Sequence, residues 1–549
     1  MIILGVSHPI SWNTAACILK DGELIAMVEE ERLNRVKHAP NMPPVLATEY
    51  VLNAAGITMD DVDVVAAGFG RALGVAYGHL NRQGLWQGWH GALRWALKTP
   101  QHARLIPGRN QGKQVHYVSH HVAHASSAIF PSGFPETNFM SFDATGGSEA
   151  GFLGHASGTS MTVYERIPTY NSWGVLYEQI TGKLGFKRHS GEGKTMGLAP
   201  YGVADPNGLP FIDWSGDLPR IIKADKLKFL GALPQRQPNA PLTQADQNLA
   251  ATLQRDLERA ALHMVEFMYR RSGSRRLALA GGVALNCSMN GVLLQSPFVD
   301  EIFIQPAAHD AGTALGAALA THVKLTGQRP SFVMRHAQWG PEYTNDEILA
   351  ALSAAGIATF RKSDDICRDT ARVLHAGKIV GWFQGRAEIG PRALGSRSII
   401  ADPSIRDMKD RVNLKVKHRE PWRPFAPSML EEYTEQYIVG AAPSPFMILA
   451  FQTQPDKIDE IVSATHVDNS CRPQTVSRTL QPRYWSMIDH FRQLSGIPVV
   501  LNTSFNIDSQ PIVCSPTDAA WKFQNCGLDY MAIGDYLVWK PETVLAEDE

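Results

Sequence analysis

His120 and His124 stand four residues apart in the run VSHHVAHASSAIF. On a helix that spacing puts both imidazoles on one face, where together they could hold one metal ion. An H-x-x-x-H alone is more often a satisfied or surface pair than a metal site. Here an apolar stretch, Asn138–Phe142, follows and leads into Asp143, as a strand delivering a carboxylate at its C-terminal end. Thr145, Gly146 and Gly147 come next, a turn whose bare amides could face phosphate oxygens. A later segment, IFIQPAAHDAGTALG, repeats the logic: a strand ends at Pro306, and His309-Asp310 precede a Gly-containing helix. Asp310 is then a natural further ligand for a metal held by His120, His124 and Asp143.

These side chains need strands to deliver them and helices to back them. Met1–Val6, Ala15–Leu19 and Glu23–Val28 read as three strands of a meander, with Asp21-Gly22 as the second turn. Ala47–Ala55 reads as an amphipathic helix and Val62–Gly68 as a strand. Asn138–Phe142, Gly151–Ala156 and Ser160–Arg166 form a second meander, so the pattern predicts two related strand-rich units. Duplicated α/β ATPase domains place two phosphate-binding turns face to face in this way. Gln247–Tyr269 has the apolar spacing of a long helix. Leu277–Gly291 reads as strand, Gly281-Gly282 turn and helix start, a turn that lets a nucleotide approach the backbone. The charge run Glu29-Glu30-Glu31-Arg32 reads as a solvated helix face. Gly191-Glu192-Gly193-Lys194-Thr195 is not a Walker loop, because Arg188 stands where its first glycine belongs. Glu192 or Lys194 near a nucleotide and a plain helix–helix loop both remain open.

The second half carries a different chemistry. The Pro-, Gly- and polar-rich stretch Gln328–Tyr343 marks a domain boundary, giving domains 1–335 and 336–549. A helix over Cys367–Ala376 and a strand over Ile379–Gln384 lead into GRAEIGPRALGSRS, with Arg386, Arg392 and Arg397 among glycines. Lys417, Arg419 and Arg423 follow in KHREPWRP. Cations at this density in Gly and Pro turns fit an anion site for a phosphorylated substrate, since arginine presents a planar fork to phosphate oxygens. Asn502, Thr503 and Asn506 close a strand over Pro498–Asn502 and suit recognition of an amide or a ribose, with a locally bonded turn as the alternative.

Composition excludes several classes. The 549 residues exceed what one core organises, and 44% hydrophobic with 19% charged residues is an ordinary globular balance. A net charge of −1 gives no basic stripe for nucleic acid. No run approaches the ~18 apolar residues of a membrane span, and MIILGVSHPI lacks the features of a signal peptide. The six cysteines are scattered without a C-x-x-C pair, which fits a reducing cytoplasm.

Taken together, EEERLNRVKH (29–38), HHVAH (120–124), GEGKTMGLAPYG (191–202), GGVALN (281–286), GPRALGSRSIIADP (390–403), KHREPWRPFAPS (417–428) and NTSFN (502–506) resemble the NodU/CmcH-type O-carbamoyltransferase family, which includes tobramycin carbamoyltransferase TobZ. The resemblance covers nearly the whole chain. It implies an α/β protein with an N-terminal TsaD-like domain of the actin/sugar-kinase ATPase superfamily and a C-terminal YrdC-like α/β domain. It implies that carbamoyl phosphate yields carbamate, that ATP with Mg²⁺ adenylates it, and that the carbamoyl group passes to a hydroxyl of a small-molecule acceptor, a natural product or antibiotic. By the same resemblance His120, His124, Asp143 and Asp310 hold Fe²⁺ or another divalent metal, and Lys37 lies near the acceptor. Gly146, Gly147, Lys194, Gly281, Gly282 and Asn286 would then meet the adenylate. Arg386, Arg392, Arg397, Lys417, Arg419, Arg423, Asn502, Thr503 and Asn506 would meet carbamoyl phosphate or ATP. A homodimer is compatible with it.

The chain departs from the family pattern in two places. Trp12-Asn13 stand where members often carry His-Asp, which leaves His8 as candidate acceptor-side base. Ser509 stands where a glycine is usual. The Trp- and His-rich segment Gly84–His102 could help enclose the acceptor. Rival readings are a threonylcarbamoyl-transfer enzyme, disfavoured by the charge, a hydrogenase-maturation enzyme, which would need C-x-x-C motifs, an ATP-binding regulatory protein and a sugar kinase.

Overall fold

A computed structural model describes residues 1–7, 12–69, 113–507 and 509–541. His8 and the segment 84–102 lie outside the described residues. The chain divides into two compact units, residues 1–30 with 38–334, and residues 31–37 with 335–549.

The first unit holds two five-stranded sheets. The first comprises β1 (Ile2–Val6), β2 (Ala15–Lys20), β3 (Glu23–Glu29), β4 (Val64–Ala67) and β5 (Gln114–Tyr117), in the order β3-β2-β1-β4-β5. The second comprises β6 (Glu136–Gly146), β7 (Glu149–Ser157), β8 (Ser160–Pro168), β11 (Arg276–Ala280) and β12 (Glu301–Ile304), in the order β12-β11-β6-β7-β8. A short pair, β9 (Ile212–Asp213) and β10 (Arg220–Ile221), lies apart from both. In each large sheet three antiparallel strands make a meander, and two further strands run parallel to its first. The first sheet and the second are thus one topology used twice, and the parallel strands of each deliver their carboxyl ends to one side.

Small residues bring the helices behind these strands close together. The helix Gly312–Thr326, rich in Gly and Ala, crosses the helix His120–Ile129 at Gly316. A Cβ on Gly316 would lie 1.7 Å from the Ala123 carbonyl oxygen, so the crossing exists only because that position has no side chain. The long helix Gln244–Ser272 starts with a reciprocal Thr243–Asp246 capping box and ends at left-handed Gly273.

The second unit is a three-layer α/β/α structure. The eight strands of its main sheet are β13 (Phe360–Lys362), β14 (Val380–Phe383), β15 (Arg397–Ala401), β16 (Ala426–Leu430), β19 (Gln474–Val476), β20 (Val499–Ser504), β21 (Tyr530–Ile533) and β22 (Tyr536–Trp539). The sheet is mixed, in the order β13-β22-β21-β14-β15-β20-β16-β19, with a separate ribbon of β17 (Phe451–Gln452) and β18 (Ser470–Cys471). Alternation along each strand makes two cores. Trp382 and Ile400 face the helices Ile366–His375 and Pro482–Ser495. Phe383, Ile399 and Leu501 face the helices Asn345–Ala354 and Pro516–Gln524.

The expected solvated face at 29–32 is not observed. Glu29, Glu30, Glu31 and Arg32 are all buried. In the first unit Glu30 accepts from the Ala47 and Leu46 amides, and so caps the helix Val45–Ala54, whose Pro44 gives no side-chain cap. In the second unit Arg32 donates to Glu31 (2.6 Å) and to the Gly390 carbonyl (2.6 Å). Arg35 donates to the Ile512 and Pro511 carbonyls and pairs with Asp518 at 3.2 Å. Each charge in the run has its own partner, which is why burial is tolerated.

Candidate functional site

The two helix histidines and the two predicted carboxylates converge. His120 Nε2 lies 3.0 Å from Asp143 Oδ2 and 3.7 Å from Asp310 Oδ1. His124 Nε2 lies 3.4 Å from Asp143, 3.6 Å from Asp310 and 3.1 Å from His120 Nε2. One donor atom from each of the four falls within 4.8 Å of all the others.

The fold explains the convergence. The helix His120–Ile129 begins just after β5, at the carboxyl end of the first sheet. Asp143 sits at the carboxyl end of β6, where Ala144 N–H (2.7 Å) and Gly282 N–H (3.2 Å) both donate to its Oδ1. That fixes the carboxylate and turns Oδ2 toward the imidazoles. Gly281 makes this possible: its φ is +93°, and a Cβ there would come within 2.3 Å of the Phe142 carbonyl oxygen. Asp310 follows β12 and precedes the helix Gly312–Thr326. His309, beside it, faces buried Glu29 at 3.4 Å.

Electrostatics binds the four together. Burial opposes charge on His124, but the Asp143 and Asp310 carboxylates outweigh it and push the imidazole up to about 9. Burial alone would lift both carboxyls, yet the neighbouring imidazoles hold Asp143 well below, and Asp310 below, the usual carboxylate range. Two imidazole nitrogens and two carboxylate oxygens at these distances form the donor set of a first-row divalent cation, with borderline nitrogen and hard oxygen ligands. The residues present therefore fit the metal that the resemblance implies.

A fifth residue escaped the sequence reading. His121 is buried, its Nδ1 lies 2.9 Å from Ser141 Oγ, and its Nε2 lies 3.1 Å from the Glu149 carbonyl. Burial pushes its imidazole down to about 3. The signal was there: Ser141 and Asp143 share one face of β6, and His121 adjoins His120.

Other expected residues have their own partners. Gly282 gives its amide to Asp143. Asn286 caps the helix Cys287–Leu294 and exchanges hydrogen bonds with Gln254. Lys194 lies in the first turn of the helix Glu192–Leu198, so the segment is not a helix–helix loop. Gly146 sits under the imidazoles, where a Cβ would fall 2.2 Å from His120 Cδ2. Gly147 has a φ of +90° in the following turn. Lys37 pairs with Glu31 at 3.5 Å within the second unit.

Also in the second unit, Arg397 departs from the expected anion ligand. It is fully buried in β15, packs its guanidinium over the Phe383 ring, and donates to the carbonyls of Gln384, Ser396, Pro341 and Cys514. Those bonds use its fork inside the sheet. Lys417 likewise turns inward, onto Ser504 and Asn506. Asn502 is buried against Ala393, Ser428 and Gln474. Arg386 donates to Trp339 and Gly340, and Arg419 to Asn413 and Pro424. Arg423 pairs loosely with Glu420, and Arg392 and Thr503 are half-buried. Ser509, where glycine was expected, has a left-handed φ of +67°.

Two family models match this chain. Residues 102–319 match the carbamoyltransferase N-terminus, and residues 371–540 match the carbamoyltransferase C-terminus. Nodulation protein NolNO of Sinorhizobium fredii is 38% identical over 553 residues, covering 97% of this chain and 80% of that protein. The chain belongs to the carbamoyltransferase family. Nodulation protein NolO of Bradyrhizobium diazoefficiens is 40% identical, covering 77% of this carbamoyltransferase and 79% of its own length. Nodulation protein U of Rhizobium tropici is 34% identical over 48% of this chain and 44% of its own. Among solved structures, T. kodakarensis HypF is 14% identical with a TM-score of 0.36, covering 59% of this chain and 48% of its own. Component A of Acidaminococcus fermentans (R)-2-hydroxyglutaryl-CoA dehydratase is 17% identical, with a TM-score of 0.35, covering 59% of this chain and 98% of its own. Likenesses this weak carry no argument. His120, His124, Asp143 and Asp310 all fall in the first matched span of the carbamoyltransferase, and the arginine-rich loops fall in the second. Among its described residues, no helix is long and apolar enough to cross a membrane.

Proposed function

We propose that this carbamoyltransferase is an ATP-dependent O-carbamoyltransferase that works through carbamoyl-adenylate. The observation that carries the reading is the convergence of His120, His124, Asp143 and Asp310 at the carboxyl ends of strands in a chain of this family. The duplicated sheet order supports an actin/sugar-kinase-like, TsaD-type first unit, and the arginine-rich loops support a YrdC-like activation unit. Carbamoyl phosphate and water give carbamate and phosphate. Carbamate oxygen then attacks the α-phosphate of ATP, with Mg²⁺, to give carbamoyl-adenylate and pyrophosphate. The acceptor hydroxyl attacks the carbamoyl carbon, AMP leaves, and the hydroxyl proton goes to solvent.

Adenylation matters because carbamate is anionic and resonance-stabilised, so it needs a leaving group before a hydroxyl can attack. Arg392 and Arg423, on half-buried loops, offset the charge of the two anionic substrates. His120, His124, Asp143 and Asp310 would hold Fe²⁺ or another divalent ion. Such an ion supplies Lewis acidity and a template for phosphate and carbonyl oxygens. The Asp143 carboxylate, held by two amides, keeps that geometry fixed before substrates arrive. Lys37 would assist at the acceptor, and Gly146, Gly147 and Lys194 would lie along the adenylate. The acceptor is a small-molecule hydroxyl compound.

The test needs no acceptor. The protein is incubated with ATP, Mg²⁺ and carbamoyl phosphate, and products are followed by phosphorus NMR. AMP and pyrophosphate formed only when carbamoyl phosphate is present are the expected result. ADP in their place would make the protein a kinase or ATPase and defeat the reading.

A further inference from the structure

We infer that His121 is a positioning residue for the metal centre: it pins the first turn of the helix bearing His120 and His124 to the strand bearing Asp143. The inference rests on the metal reading above, and its geometry stands apart from any ion.

The helix His120–Ile129 opens at Ser119, which makes no side-chain capping bond. Its first turn would fray unless something else held it. His121 does so through two elements at once. The Glu149 carbonyl can only accept, so His121 Nε2 carries the proton and donates to it across 3.1 Å. Nδ1 is then the acceptor, and Ser141 Oγ–H donates to it across 2.9 Å. Ser141 lies two residues before Asp143, so both side chains leave β6 on the same face. One imidazole therefore sets the height of the helix against the strand that carries the opposing ligand, and against β7 as well.

The ring also shapes its neighbour. His121 meets His120 edge to face, with centroids 5.2 Å apart and planes at 88°. Beneath both rings lies Gly146, where a Cβ would fall 2.2 Å from His120 Cδ2 and 2.7 Å from His121 Nε2. His120 is thus boxed between a bare backbone and a perpendicular imidazole, with Nε2 left to face the cluster. Partners of this kind hold metal ligands in place, and their loss typically weakens metal affinity about 10- to 100-fold.

The experiment uses the full chain and Co²⁺ alone as probe. His121→Leu, His121→Gln and Ser141→Ala are compared with the unaltered protein by Co²⁺ titration and by the visible spectrum of the bound ion. Backbone hydrogen exchange over residues 119–125 is measured without metal. His121→Leu should weaken Co²⁺ binding roughly 10- to 100-fold, alter the spectrum and speed exchange in the first helical turn. His121→Gln, whose amide can both donate to Glu149 and accept from Ser141, should restore most of each. Ser141→Ala should show the same changes at smaller size, and it keeps the test open if His121→Leu fails to fold. Unchanged affinity, spectrum and exchange in folded His121→Leu or Ser141→Ala would overturn the assignment. If the unaltered protein binds no Co²⁺, the metal reading fails, and exchange in metal-free Ser141→Ala decides the positioning role by itself.

Discussion

His120 Nε2 and His124 Nε2 lie 3.1 Å apart, with the Asp143 and Asp310 carboxylates on either side. Two imidazole nitrogens so close must share a proton or flank a cation. Without metal the carboxylates keep His124 protonated up to about pH 9. A metal ion must therefore expel that proton. Apparent metal affinity should rise with pH toward 9, by about tenfold per unit where one proton is displaced. The linkage to stability has the opposite sign in the metal-free protein. A folded pKa raised above the unfolded value of about 6.5 stabilises fully below 6.5, and this stabilisation is lost as pH rises through 9. Melting temperature measured from pH 6 to 9 should fall without metal, while the increment added by Co²⁺ grows. A metal increment independent of pH would contradict the proton exchange.

Asp143 is the hinge of that balance. In Asp143→Asn the shape and the Ala144 and Gly282 hydrogen bonds can persist, but the charge is lost. His124 should then titrate well below 9, and Co²⁺ affinity should fall by at least about 100-fold, a loss larger than the 10- to 100-fold typical of an outer-shell partner. Calorimetric titration checks both, since the number of protons released per metal bound should also change. Affinity equal to that of the unaltered protein would remove Asp143 from the ligand set.

The convergence of His120, His124, Asp143 and Asp310 was legible because three signals coincide: a helical i, i+4 spacing, an aspartate near the carboxyl end of one strand, and an aspartate in the turn after another. The two meanders were legible for the same reason, since strand alternation and turn glycines are local. The order of the eight-stranded sheet was not, because β14 pairs with β21 across about 150 residues and nothing local encodes that choice. The run 29–32 misled because a charge run is usually solvated, whereas here Glu30 caps a distant helix and Arg32 reaches Gly390. Both partners lie outside the window in which a charge pattern is read. Lys417 and Arg397 show the same limit: cation density was visible, and which cations point inward was not.

That distinction separates Arg397, at the start of β15, from Arg392 on the loop before it. Removing Arg397 takes the side-chain donor from the buried Gln384 and Cys514 carbonyls, at about 1–3 kcal/mol each, while the Pro341 and Ser396 carbonyls keep the Ala387 and Gln384 amides. Arg397→Met should therefore lower stability by roughly 3 kcal/mol or more, seen as a reduced denaturant midpoint. Arg392→Ala, half-buried on the loop after Gly390, should lower the midpoint less than Arg397→Met does and abolish formation of AMP and pyrophosphate. Normal AMP formation in folded Arg392→Ala would end its assignment to the activation step.

The helix crossing at Gly316 supplies the remaining test. Gly316 meets the Ala123 carbonyl one residue before His124 and six residues after Asp310. Adding a side chain must push the helix Gly312–Thr326 away from the helix His120–Ile129. Overpacking of this kind costs typically 1–3 kcal/mol. Because Asp310 rides at the start of one helix and both histidines on the other, the strain should also spread the ligand set. Gly316→Val should therefore lose both stability and Co²⁺ affinity, whereas Gly327→Ala, at the far end of the same helix with open space around it, should lose stability alone. Equal Co²⁺ affinity in folded Gly316→Val would mean that the ligands are held by their own strands and loops, with the helix crossing only a bystander.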